Sequence, residues 1–370
     1  MKNKIVYIVS NIDKAVGFEW IADKIDSTKF QLYFIILNPS DSYLHHWLNA
    51  RNISSYYIKH CGKKSFISSL IKILFILKKL KPDVVHTHLL EANLIGLTAA
   101  KISGVKKRVY TRHHSTFHHD YFPKGVKYDK WANYMATQII AISRNVQEVL
   151  LKKEGVLKSK TTIIYHGFDF EKFQKIDNQK IISLKSKYNI SHNHNPVIGV
   201  IARHIKWKGI KYIIEAFKIL LIKYPKANLI LANSSGPHHK CILDQLHQLN
   251  TENYTLIKFE PDLFTLYQLF DVYVHTPIDD TIEAFGQTYV EALAAGIPSV
   301  FTLSGVAKEF IKDQKNAFVV GYKNSKEIYH AIESLLENKP LRKKLIENGK
   351  QSIKQFNLDL FIKKLEKMYE

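Results

Sequence analysis

Apolar runs of four to eight residues recur along the chain, separated by stretches whose apolar positions fall three and four apart. KIVYIVS (4–10), QLYFIIL (31–37) and DVVHTH (83–88) read as buried strands. KKRVYTRH (106–113), QIIAIS (138–143) and TTIIYHG (161–167) continue the series, and ANLIGLTAAKISG (92–104) reads as a helix closed by Gly104. Strands separated by helices of this length imply right-handed crossovers and a parallel sheet. The polar stretch ISHNHNP (190–196) breaks the pattern and places a domain boundary there. A second series follows: PVIGVIA (196–202), a helix over 210–223, NLILAN (228–233), YTLIKF (254–259), DVYVHTP (271–277), PSVFTL (298–303) and AFVVGY (317–322). Two amphipathic helices, EIYHAIESLLEN and LDLFIKKLEKMYE, end the chain. The pattern predicts an α/β protein with two doubly wound, Rossmann-like domains, 1–190 and 191–355, and a last helix, 356–370, crossing back to the first. Two such domains facing each other would leave a cleft at the carboxyl ends of their strands, where such sheets bind ligands.

Composition narrows this picture in a few places. The length of 370 residues suits two domains, and 46% hydrophobic residues supply two cores. The cysteines, Cys61 and Cys241, form neither a disulfide framework nor a zinc spacing. The apolar run in MKNKIVYIVSNID is shorter than a signal peptide needs, so the expectation is a cytoplasmic chain. The formal net charge of +21 calls for an acidic partner: nucleic acid, a phosphorylated small molecule or an anionic membrane surface. FISSLIKILFILKKL (66–80) is too short to span a bilayer. It reads either as a core helix packed on the sheet or as a helix whose exposed part lies on an anionic membrane at the inner face of the cell.

Candidate chemistry sits after two strands of the second series. RHIKWKG (203–209) follows VIGVIA, so Arg203 and Lys208 lie at a strand's carboxyl end beside the start of a helix. Two cations and free helix amides suit a diphosphate. Neither a Walker pattern nor G-x-G-x-x-G occurs. EAFGQTYVEALAAGIPSV (283–300) follows DVYVHTP and the polar turn IDDTI. Gly286 allows close backbone approach, and a helix beginning near Gln287 or Thr288 would hold Glu291 in its first turn and stop at Gly296. Carboxylates accept from hydroxyls and amides donate to phosphate, so this stretch suits a polyhydroxylated ligand that carries phosphate.

E-A-F-G-x4-E followed by A-L-A-A-G-I-P-S-V resembles the E-x7-E motif of the retaining glycosyltransferases of family 4, which have the GT-B fold. Arg203 with Lys208-Gly209 resembles that family's donor-phosphate motif, and DVVHTH, RVYTRHH, AIS and IIYHGFDFEKF resemble its N-terminal segments in the right order. The resemblance implies an acceptor-binding N-terminal domain and a donor-binding C-terminal domain for a nucleotide diphosphate sugar, UDP-sugar foremost. It implies that Arg203 and Lys208 neutralise the diphosphate, that Glu283 accepts from sugar hydroxyls, and that the amides of Phe285 and Gly286 help hold the sugar. Gln287 and Thr288 would meet the donor at the helix start, and Glu291 would bind the ribose. His113 would face the transferred sugar, and Gly17 would lie in the loop under the phosphates. The first loop has one glycine where the family often has two, His166 replaces an asparagine, and LANSSGP (231–237) lacks a glycine.

The implied acceptor is a glycan or lipid-linked glycan of surface polysaccharide or lipopolysaccharide assembly. Substituting Glu283 or Lys208 by alanine is expected to abolish transfer with thermal unfolding nearly unchanged. No cofactor and no metal is expected, because the chain lacks Asp-x-Asp and the adjacent histidines of HHSTFHHD (113–120) make poor joint ligands. The rival readings are a nucleotide-sugar epimerase or hydrolase on the same fold, and a basic nucleic-acid-binding protein. The second would need lysines and stacking aromatics interleaved on one face, whereas the tyrosines and phenylalanines mostly fall in strand and helix patterns.

Overall fold

The computed structural model describes residues 2–191 and 193–370, apart from the side chain of Gln174. The chain forms two compact units, Met1–Gly167 with Leu358–Glu370, and Phe168–Asn357. In the first unit, β1 (Asn3–Ser10), β2 (Phe30–Asn38), β3 (Ser55–Lys59), β4 (Val84–His88), β5 (Lys107–Arg112), β6 (Gln138–Ala141) and β7 (Thr161–Ile163) form one parallel sheet in the order β3-β2-β1-β4-β5-β6-β7. In the second, β8 (Val197–Ile201), β9 (Asn228–Ala232), β10 (Tyr254–Ile257), β11 (Val272–His275), β12 (Ser299–Phe301) and β13 (Phe318–Val319) form another, in the order β10-β9-β8-β11-β12-β13. Each sheet reverses its winding once, between β1 and β4 and between β8 and β11, which opens a crevice at the carboxyl ends of those strands.

The strands lack alternation because both sheet faces are covered. In the first unit Tyr7, Val9, Phe34 and Ile36 pack under the helices Val16–Lys24, Tyr43–Asn49 and Leu358–Tyr369. Ile8, Ile35, Leu37 and Val85 pack on the other side under Phe66–Leu80 and Leu90–Ile102. The helix Phe66–Leu80 therefore does contribute Ile73, Leu77 and Leu80 to a core, while its opposite face stays in solvent. Among the described residues no helix is long and apolar enough to cross a membrane.

The division between units differs from the expected one at 190. Residues 168–190 belong with the second unit, because Phe173 packs on Phe264 and Tyr267 and Lys187 pairs with Glu260 at 2.7 Å. The change of unit falls at Gly167, where the pattern gives no polar break, and His192 of the polar stretch lies outside the described residues. Several elements escape the pattern, two of them for a clear physical reason. The strand β3 is short and mostly half-buried, and the helix Lys339–Ser352 is so polar that only its Asn338 cap and Pro340 mark it.

The last helix is part of the first unit. Tyr369 is buried at its end, where its hydroxyl meets Tyr7 and lies 2.7 Å from His86 Nδ1. His86 Nε2 lies 2.8 Å from the Thr111 hydroxyl, so the helix closes a buried polar chain across β1, β4 and β5. Burial pushes the Tyr7 and Tyr369 phenols up and His86 down to about 3, so all three are neutral at pH 7. Tyr369→Phe strands the buried Tyr7 and His86 groups, and urea unfolding of the first unit should show a loss of about 1–3 kcal/mol.

Candidate active site

The second unit gathers its candidate side chains at the carboxyl ends of β8, β11 and β12. The loop after β8 turns against β11: Ile278 donates its N–H to the Trp207 carbonyl at 3.0 Å, and Gly209 sits in the left-handed region with φ +71°. A Cβ on Gly209 would lie 2.0 Å from the Thr276 carbonyl oxygen, so only glycine permits this approach. The contact carries Lys208, one residue earlier, to Glu283, where Nζ and Oε1 are 2.6 Å apart. His275, the last residue of β11, brings Nε2 to 3.4 Å from the same oxygen.

The stretch around Glu283 is fixed from both sides. In the turn before it, the Asp279 carboxylate accepts from the N–H groups of Thr281 and Ile282, each at 2.9 Å. After β12, the Ser304 hydroxyl accepts from the Glu283 N–H at 3.2 Å, and the Val306 N–H donates to the Phe285 carbonyl at 3.0 Å. Gly286, at φ +83°, turns the chain into the helix Gln287–Ala294, where a Cβ would strike the Tyr289 ring at 2.6 Å. Tyr289 anchors the helix by packing edge-on against His275 and donating to the Thr302 carbonyl at 2.9 Å. The helix starts at Gln287 as expected, and Glu291 is its fifth residue, just past the first turn.

The two glutamates are shifted in opposite directions. Burial alone would raise the Glu283 carboxyl, but the Lys208 ammonium and His275 hold it well below the carboxylate range. Among the described residues no cation pairs with Glu291. Burial pushes its carboxyl up to about 7, against the hydrogen bond it accepts from the buried Tyr267 hydroxyl at 2.9 Å. Lys208 keeps donors to spare beyond Glu283, and Arg203 is exposed. Gln287 is exposed and Thr288 half-buried at the helix start, while the Phe285 ring is buried.

Gly17 and His113 belong to the first unit. Gly17 is the second residue of the helix Val16–Lys24, not part of the preceding loop, and its Cα faces open space. His113 follows β5, with Nε2 2.9 Å from Nδ1 of His88, and its ring stacks on His166 at 5.7 Å. Burial lowers all three histidines, His166 to about 4, so the cluster is uncharged at neutral pH. Beside it, Asp129 Oδ2 accepts from Arg112 at 3.0 Å and lies 2.7 Å from His118 Nδ1 and 3.2 Å from His114 Nε2. His114, His118 and Asp129 are close enough to share a metal ion, but a guanidinium already occupies that oxygen and would repel a second cation.

Family models match both halves: "Glycosyltransferase Family 4" over residues 23–172 and "Glycosyl transferases group 1" over residues 183–352. A capsular polysaccharide biosynthesis glycosyltransferase of Staphylococcus aureus, CapM, is 31% identical over 82% of this chain and 81% of its own. The chain belongs to the family 4 glycosyltransferases. An alpha-monoglucosyldiacylglycerol synthase of Acholeplasma laidlawii is 26% identical over 94% of this chain and 91% of its own. The crystal structure of an Anabaena protein, HepE, in complex with UDP and glucose superposes with a TM-score of 0.83 at 20% identity, over 99% of this chain and 98% of that one. The fold is GT-B and the protein is a glycosyltransferase.

Several residues that build this glycosyltransferase's candidate site carry no motif. His275 ends an apolar strand, Tyr267 sits in a short helix, and Ser304 is one of many serines; only the fold brings them beside the two glutamates. The pair itself alters one expectation. Lys208 and Glu283 are largely shielded from water, so Lys208→Ala takes the ammonium away from a buried carboxylate and costs about 3–5 kcal/mol instead of leaving unfolding unchanged.

A pH test follows from Glu291. Its folded value is raised above the unfolded one, so its contribution to stability is full below about pH 4.5 and is lost as pH rises through about 7. Glu291→Gln should remove this dependence. Thermal unfolding should show the variant gaining about 1–3 kcal/mol over the parent between pH 5 and pH 8.

Proposed function

We propose that this glycosyltransferase moves a hexose or N-acetylhexosamine, with retention at the anomeric carbon, from a UDP-sugar to a glycan or lipid-linked glycan acceptor of surface polysaccharide or lipopolysaccharide assembly. The buried Lys208–Glu283 pair carries the reading. It sets a carboxylate that stays ionised beside a cation with donors left over, which matches a sugar hydroxyl next to a phosphate. Arg203 and Lys208 neutralise the diphosphate, Glu283 and the amides of Phe285 and Gly286 hold the sugar, Gln287 and Thr288 meet the donor, and Glu291 takes the ribose. HepE with UDP and glucose, and relatives named for capsule and glucosyl-diacylglycerol synthesis, support the donor and acceptor classes. The acceptor works at the inner membrane face, so the enzyme acts there as a peripheral protein.

In the reaction the bond from the anomeric carbon to the donor phosphate breaks, and a bond to the acceptor oxygen forms on the same face. The acceptor's proton passes to the leaving phosphate oxygen. The protein supplies position and charge, with no covalent intermediate and no metal in this scheme. Glu283→Gln and Lys208→Met remove the charges while keeping side-chain volume. Each should lower kcat by about 10²–10³ in a UDP-release assay with acceptor present. The anomeric proton coupling of the product should report the donor's own configuration. Near-parental turnover in either variant contradicts the site. UDP release at full rate without acceptor favours the epimerase or hydrolase reading.

A further inference from the structure

One side of the first unit has a surface that donor binding does not explain. The crossovers β3 to β4, β4 to β5 and β5 to β6 step across the sheet in one direction, so their helices, Phe66–Leu80, Leu90–Ile102 and Gly125–Met135, share one face. They form a single layer: Trp131 Nε1 donates to the Thr98 hydroxyl at 3.2 Å, and the Lys101 ammonium lies 4.3 Å from the centre of the Tyr134 ring.

The outer side of this layer is apolar in two stripes. On Phe66–Leu80, Ile67, Ile71 and Phe75 are four apart and 71%, 48% and 73% exposed. On Gly125–Met135, Tyr128, Trp131 and Tyr134 are three apart, with Trp131 45% and Tyr134 67% exposed. Lysines surround both stripes: Lys72, Lys78 and Lys79 on the first helix, and Lys127 and Lys130 on the third, all exposed. Among the described residues of the three helices no acidic side chain is exposed. Asp129 is buried against Arg112 and His118, and Glu91 is half-buried and accepts from Asn11.

We propose that this face docks the enzyme on an anionic bilayer. Aliphatic side chains next to tyrosine, tryptophan and lysine suit the boundary between headgroups and acyl chains, where rings have one apolar and one wet side. The unopposed lysines complement anionic headgroups. A second copy of this chain fits less well, because a symmetric contact would set lysine against lysine. The proposed contact is peripheral, and among the described residues no helix is long and apolar enough to cross a membrane. The proposal deepens the reading of a membrane-borne acceptor and rests on it for its purpose, but the contact can be measured without any substrate.

The test is co-sedimentation of the full chain with vesicles of mixed phosphatidylglycerol and phosphatidylcholine, and with vesicles of phosphatidylcholine alone. The parent should partition at least about tenfold more strongly onto the anionic vesicles. Phe75→Glu with Tyr134→Glu should lose about tenfold or more of that binding, and Lys78→Glu with Lys79→Glu should weaken it and flatten its salt dependence. Thermal unfolding and the thermal shift caused by UDP should stay at parental values in both variants. Absence of vesicle binding, or undiminished binding by the variants, overturns the proposal. So does self-association in sedimentation velocity that the same variants abolish, since the face then belongs to a second copy. A parent that binds vesicles yet shows no shift with UDP counts against the donor reading alone.

Discussion

An ammonium and a carboxylate 2.6 Å apart, largely shielded from water where the second sheet reverses its winding, are the constraint on which the second unit's candidate site depends. Neither charge could be buried alone at tolerable cost. The surrounding backbone is arranged to make them meet. Gly209 lets the loop after β8 abut Thr276, the Asp279 turn and Ser304 fix the approach to Glu283, and Gly286 turns the chain into the next helix. The result is an anionic oxygen held beside a cation before any substrate arrives, so little reorganisation remains for binding.

Glu283 and Glu291 show how position sets chemistry for one residue type. With Lys208 and His275 beside it, Glu283 remains a carboxylate at any physiological pH. With only the Tyr267 hydroxyl, Glu291 lies close to half-protonated near neutrality. The first carries a permanent charge, and the second can gain or lose its proton near neutrality. The neutral histidines of the first unit, His88, His113 and His166, follow the same rule: burial without a counter-charge leaves them uncharged.

Most of the fold was legible because both sheets are covered on two faces, so strands appear as unbroken apolar runs and crossovers as helices between them. The helix 210–223 was read to the residue. What escaped has a physical cause in each case. The unit boundary at Gly167 depends on Phe173 and Lys187 finding partners some seventy to a hundred residues away, which local polarity cannot reveal. The start of the helix at Gln287 was legible from Gly286, whose left-handed φ caps it, and Glu291 falls one residue past the first turn. Arg203, Lys208 and Glu283 were visible as charges after strands. His275 and Tyr267, which set the charge states of the two glutamates, were hidden in apolar patterns.

The central claim is that Glu283 holds the sugar while the cations hold the diphosphate. Calorimetric titration of UDP and of the matching UDP-sugar into the parent and into Glu283→Gln tests it most directly. The account predicts that the variant keeps the parent's affinity for UDP and loses the extra affinity that the sugar confers. An equal loss for both ligands, or no loss for either, would contradict it.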